Sequence, residues 1–358
     1  MLPRAPMISD RRRTFAPPPK RTQNVTNRCA FATLLQALIV CFQRFTATHC
    51  SLRATIKQWS LELLRFETTL QRSVDASGIG LHSGVPVHIR LAPAPAGTGI
   101  VFRRSDLDFF AIPASWKYVA RVSYATSLMR QGVLISTTEH LLSALYSFGI
   151  DNVSVEIDNL EVPILDGSSA PFIDLIRRAG VRQLRRKRRY LRITRPVVVE
   201  DGRKRISILP DDRFRLTCDI DFPAPIGKQS VDLEMTPERY ATQIAPARTF
   251  AHEVDLDQMR EMGLIRGASL DCAVCFTETG VLNPEGLRFA DESCRHKALD
   301  LIGDLALIGR PLLGHVIAER AGHKIHTALV AKIMADSSLY QLVTLDQLAI
   351  RVAAAVVS

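Results

Sequence analysis

The strongest pattern of apolar and polar positions lies in residues 295–305, Arg-His-Lys-Ala-Leu-Asp-Leu-Ile-Gly-Asp-Leu. Leu299, Ile302 and Leu305 recur every third position, which predicts a helix with one buried stripe. His296, Asp300 and Asp304 are four apart, so they share another face, each one turn above the last. A second helix is predicted from Glu139 onward: Ser136 and Glu139 form a capping-box pattern, and Gly149 supplies a stop. Alternation in Val85–Leu91 and Val153–Ile157 predicts strands, as does Ile100–Arg103 after a Pro/Gly turn. Gly78–Gly84 misses the G-x-G-x-x-G spacing and precedes a strand, so it reads as a turn rather than a phosphate loop. Phe172–Arg178 reads as a helix. From about Leu191 the order repeats: strands near Val197, Ile206 and Leu216 and a short helix Pro237–Ile244. An insertion-like segment Ala251–Val281 follows, then the helix near Glu292 and a strand Gly314–Ala321.

Length and charge bound this picture. A chain of 358 residues with 47% apolar content accommodates two domains of ordinary size. The net charge of +10 suggests nucleic acid until its placement is considered. Residues 1–66 hold eleven basic and two acidic residues, nine of the ten net charges, so the body is nearly neutral. Residues 1–66 are expected to be a basic, poorly ordered extension with Pro17-Pro18-Pro19 at its centre. Its apolar run Cys29–Phe42 is too short to span a bilayer comfortably. A secretory signal, an organelle transit peptide and a start codon assigned too early are three readings of it; the last is favoured, because nothing downstream looks secreted. Arg182–Arg195, with eight Lys/Arg, is expected to be a solvated interdomain link. The rival to an enzyme is a protein that grips nucleic acid or anionic lipid through these two basic stretches, with binding that collapses in salt.

Seven cysteines, odd in number and irregularly spaced, argue for a reducing compartment and against a disulfide framework. Cys272-Ala-Val-Cys275 lies in an apolar run and is expected to be two core thiols rather than a redox pair.

No H-E-x-x-H, P-loop or G-x-S-x-G elbow is present. What remains is Glu139-His140 at one helix start with His296 and Asp300 on another. Two histidines and one carboxylate with an open fourth position suit a hydrolytic zinc site. The bland alternative is a ladder of solvated polar groups, with Glu139 as a cap partner.

Six motifs weigh against that alternative. Ser136-Thr-Thr-Glu139-His140-Leu141, Glu161-Val-Pro163-Ile-Leu-Asp166-Gly167-Ser-Ser-Ala-Pro171-Phe172, Ala247-Arg248-Thr249-Phe250, Gly286-Leu-Arg288-Phe289, His296-Lys297-x-x-Asp300-x-x-Gly303-Asp304 and Gly322-His323 occur in this order. Together they resemble the UDP-3-O-acyl-N-acetylglucosamine deacetylases, the zinc amidases of lipid A synthesis, over about residues 68–335.

The resemblance implies α+β architecture in two similar domains, 67–190 and 191–345, each a sheet layered with helices. The helices of both would pack between the two sheets, leaving 346–358 as a tail. It implies Zn²⁺, with Fe²⁺ as the alternative, held by His140, His296 and Asp300. Glu139 would be the base, Thr249 would assist at the oxyanion, and His323 would be the acid held charged by Asp304. Lys297 would meet the phosphates, Phe250 the sugar ring and Phe222 the uracil. The insertion would form the acyl passage with Cys272 on its wall. The implied partner is the UDP-linked acylated glucosamine, not nucleic acid. The enzyme would be a cytoplasmic monomer, with peripheral contact to the inner membrane or organelle targeting as alternatives. Family register picks His323 over His326, which is expected at the surface. His82 is expected to be structural or to support a residue that holds the metal, and His49, His88, His252 and His315 have no evident partners.

Overall fold

A computed structural model describes residues 65–348. The expectations for residues 1–64 and for the end of the tail lie outside the described residues. The architecture is α+β. One sheet has the strand order Val74–Ile79, Pro86–Pro93, Val153–Ile157, Ile100–Arg104, Phe110–Pro113. The other runs Val197–Asp201, Lys204–Leu209, Leu312–Glu319, Tyr190–Ile193, Tyr340–Val343. Phe214–Asp221 adds to it parallel to Leu312–Glu319, and Lys228–Glu234 pairs antiparallel beyond.

The helices that matter to the site are α1 (Glu139–Ser147), α2 (Ala170–Ala179), α3 (Leu256–Glu261), α4 (Glu292–Leu305) and α5 (His323–Ala335). In α1 every residue from Glu139 to Leu145 is buried, as expected of a helix sandwiched between layers. It ends at Gly149, whose φ of 67° is the left-handed stop its glycine makes cheap. In α4 the stripe Leu299, Ile302 and Leu305 is fully buried, each side chain contributing roughly 1.5–3 kcal/mol. The two helices touch backbone to backbone: a Cβ on Gly303 would overlap the Glu139 carbonyl. Glycine there sets how close the two halves approach.

Two expectations need correction. Arg182–Arg195 is solvated at six of its eight Lys/Arg, as expected, but it is built from strands rather than a free link. Val181–Lys187 pairs antiparallel with Phe66–Leu70, and Tyr190–Ile193 enters the second sheet. Arg188 between them is 3% exposed, because its guanidinium donates to Asp151 Oδ2 at 2.6 and 2.9 Å and to the Gly149 carbonyl. Ser136 and Glu139 do not form a capping box either. Thr138 holds the N-cap position without a side-chain cap, and Ser136 Oγ accepts from Ser127 Oγ. The Glu139 carboxylate turns the other way, to the Thr126 amide at 3.1 Å.

Candidate active site

Ligand-type atoms from the start of α1 and the middle of α4 converge. His140 is the second residue of α1; His296 and Asp300 sit one turn apart on α4. His140 Nε2 lies 3.6 Å from Asp300 Oδ1, and His296 Nε2 lies 3.4 Å from the same oxygen. The two rings meet edge to face with centroids 4.9 Å apart. Ligand atoms about 2.0–2.2 Å from a tetrahedral ion stand about 3.3–3.6 Å from one another, so this spacing fits one small cation. The tautomer fits as well. His296 Nδ1 donates to the Ala247 carbonyl at 3.1 Å, leaving Nε2 with its lone pair toward Asp300. Burial pushes the His296 ring down to about 3, so it stays neutral, the ligating form. Burial opposes ionisation of Asp300, but the Lys297 ammonium, Nζ at 2.9 Å, holds it well below the usual carboxylate range.

Groups able to move protons flank these three. Burial raises Glu139 to about 6, against the pull of the His323 and His140 rings. His323, the first residue of α5, brings Nε2 within 3.9 Å of Glu139 Oε1 and 3.8 Å of Asp300 Oδ2. Burial alone would lower His323, yet the Asp304 carboxylate, 2.8 Å from its Nδ1, carries it up to about 9. One carboxylate stands near neutrality and one imidazole above it, the division of labour of a base and an acid.

The site opens into a cavity of about 860 Å³ lined by Thr249, Phe250, Leu256, Met259, Cys275 and others. Residues of the 251–281 segment, α3 among them, form much of the wall. Phe250 packs edge to face on His296, Phe276 and Phe222, with Lys297 Nζ 5.7 Å over its ring. Phe222 touches Phe250 and is not itself among the residues that line the cavity. Nor does Cys272, contrary to expectation. Its side chain packs with Leu81 and Ile164, and Sγ lies 3.5 Å from the Ser269 carbonyl; Cys275 faces the space instead. The histidine readings also need amendment. His326 is 2% exposed, because its Nδ1 bonds Asp304 Oδ2 at 2.9 Å. His88 lies 3.4 Å from Asp75 and His315 2.8 Å from Thr217 Oγ1, so both have partners. His82 lines the cavity with both ring nitrogens buried and without hydrogen bonds among the described residues.

Two features went unseen in the sequence. Thr126 serves both flanks: its amide donates to Glu139 and its hydroxyl to Asp304 Oδ1 at 2.5 Å. Arg248 and Glu292, each 1% exposed, form a buried ion pair at 2.9 Å that ties the segment carrying Thr249 and Phe250 to the start of α4. Glu292 also accepts from the Arg248 and Arg288 amides, and Arg248 also bonds Glu285 and the Gly286 carbonyl. Arg248, a charged residue inside the Ala247–Phe250 motif, was the one signal for this pair; Glu292 lies outside all six motifs, and Thr126 offered none.

An α+β fold that brings two histidines and an aspartate to a cavity, with a further buried carboxylate and imidazole beside them, fits a metal-dependent hydrolase. The family model of LpxC, UDP-3-O-acyl N-acetylglycosamine deacetylase, matches residues 67–335. The chain belongs to this family. It is 73% identical over 295 residues to the UDP-3-O-acyl-N-acetylglucosamine deacetylase of Solibacter usitatus (strain Ellin6076), covering 82% of this chain and 100% of the relative. The enzyme of the same name from Myxococcus xanthus (strain DK1622) is 47% identical over 279 residues, 77% of this chain and 89% of its own. That of Anaeromyxobacter sp. (strain Fw109-5) is 45% identical over 280 residues, 78% and 92% respectively.

Proposed function

We propose that this chain hydrolyses the acetamide of UDP-3-O-acyl-N-acetylglucosamine, releasing acetate and UDP-3-O-acyl-glucosamine in the committed step of lipid A biosynthesis. The observation that carries it is the meeting of His140, His296 and Asp300 at the cavity wall, with Glu139 and His323 close beside Asp300 and each other. His140, His296 and Asp300 would hold the cation; two imidazoles and a carboxylate favour Zn²⁺, with Fe²⁺ the alternative. When bound, the ion supplies a more acidic water and a polarised amide carbonyl.

The remaining steps belong to the chain. Glu139, ionised at neutral pH yet held near 6 by burial, takes the proton of the attacking water. The Thr249 hydroxyl on the cavity wall donates to the developing oxyanion. His323, cationic beside Asp304, gives its Nε2 proton to the departing amine as the C–N bond breaks. Lys297 pairs with the substrate's phosphates, Phe250 packs on the sugar and Phe222 reaches the uracil. The acyl chain runs along the 251–281 segment, past Cys275 rather than Cys272. Residues 67–190 and 191–345 act as the two domains, each bringing one side of the site. The enzyme works as a cytoplasmic monomer, with peripheral contact to the inner membrane as the alternative. The four described cysteines are free thiols. Among the described residues no helix is long and apolar enough to cross a membrane.

Acetate release from the UDP-linked substrate tests the proposal. A chelator should abolish it and added Zn²⁺ or Fe²⁺ restore it; turnover that survives exhaustive chelation ends this reading.

A further inference from the structure

Asp304 is fully buried and accepts from three side chains. Oδ1 takes the Thr126 hydroxyl at 2.5 Å; Oδ2 takes Nδ1 of His323 at 2.8 Å and Nδ1 of His326 at 2.9 Å. The two imidazoles stand one turn apart on α5, ring centroids 6.0 Å apart and 75° inclined. We infer that His326 is a positioning residue for His323, acting through Asp304.

The argument is one of rotation. The last torsion of an aspartate is broad, so a carboxylate held by a single partner swings easily about it. A partner that must deliver a proton along one direction needs that swing stopped. Thr126 pins one oxygen. His326 pins the other from the side that His323 does not occupy. His326 is itself fixed, since its amide donates to the Gly322 carbonyl at 3.0 Å and its ring is 2% exposed. It does not line the cavity, so its effect on a substrate passes through Asp304 and His323 alone. The net result is that the plane of Asp304, and with it the direction of His323 Nε2, is set by two donors on two different elements.

This inference rests on His323 being the acid of the proposed deacetylation. The test compares His326→Leu with His326→Asn in the full chain loaded with Zn²⁺. An asparagine amide N–H can stand where Nδ1–H stands; leucine fills the space without a donor. We expect His326→Leu to lower kcat about 10- to 100-fold, the usual cost of losing an outer-shell partner, with KM and zinc content unchanged. His326→Asn should recover to within about threefold of wild type. A second readout is independent of turnover. In proton spectra of the ¹⁵N-histidine-labelled chain, the hydrogen-bonded Nδ1 proton of His323 should persist in the asparagine variant and shift or broaden in the leucine variant. A leucine variant with wild-type kcat and an unmoved His323 resonance overturns the inference, and so does an asparagine variant as impaired as leucine. Should the leucine variant not fold, His326→Ser, too short to reach Asp304, makes the same comparison. A wild-type chain that releases no acetate counts against the deacetylase reading, and the resonance comparison still decides the His326 contact.

Discussion

The two sides of the candidate site are held in different ways. On the α4 side every group is tied by a side chain or carbonyl: His296 to Ala247, Asp300 to Lys297, Asp304 to Thr126, His323 and His326. On the α1 side His140 Nδ1 is buried with no hydrogen-bond partner among the described residues. There the position is set by backbone: the Ser169 hydroxyl donates to the His140 carbonyl at 2.8 Å, and Gly303 lets α4 rest on Glu139. One side is a preformed polar ladder, the other a helix end pressed into place by packing. The comparison teaches that the ladder decides what the site binds, and the packing decides whether base and ligand face it.

The comparison breaks first at the ladder. His296→Ala should strip the metal and abolish turnover; stoichiometric metal after gel filtration would falsify a ligand role for His296. Glu139→Gln, on the packed side, should keep the metal while kcat falls about 10²- to 10⁴-fold. A near-normal kcat there would remove the base from the mechanism. Glu292→Ala leaves Arg248 buried beside Thr249 with half its partners gone, a loss of about 3–5 kcal/mol in stability. A denaturant midpoint close to wild type would show that Glu285 and Gly286 suffice to hold that charge. The smallest effect concerns the wall. Cys275→Leu should raise KM for the acylated substrate a few-fold, whereas Cys272→Leu should cost stability by overpacking, about 1–3 kcal/mol, and leave KM alone. The opposite pattern would return Cys272 to the passage.

Much of the ladder was legible because helical periodicity is local. Spacing of four put His296, Asp300 and Asp304 on one face of α4 without knowledge of anything else. Strands such as Val153–Ile157 were legible for the same reason. What could not be read depends on partners distant in sequence. Ser136 and Glu139 have the letters of a capping box, but the Thr126 amide competes for the carboxylate and wins. The composition of Arg182–Arg195 told of its exposed basic side chains, but not that Phe66–Leu70 pairs with its first part or that Asp151 neutralises a buried Arg188. His326 looks like a surface residue until Asp304, 22 positions earlier, is found against it. That His140 meets the α4 ladder came from the family resemblance, since spacing within one helix cannot say which other helix lies across from it.

The missing side chain at Gly303 has a practical corollary. Transplanting this centre into an unrelated scaffold would require both crossing helices as one block, glycine included. A host that copied only the side chains would set the crossing too wide, and Glu139 and His140 would stand off from His296 and Asp300.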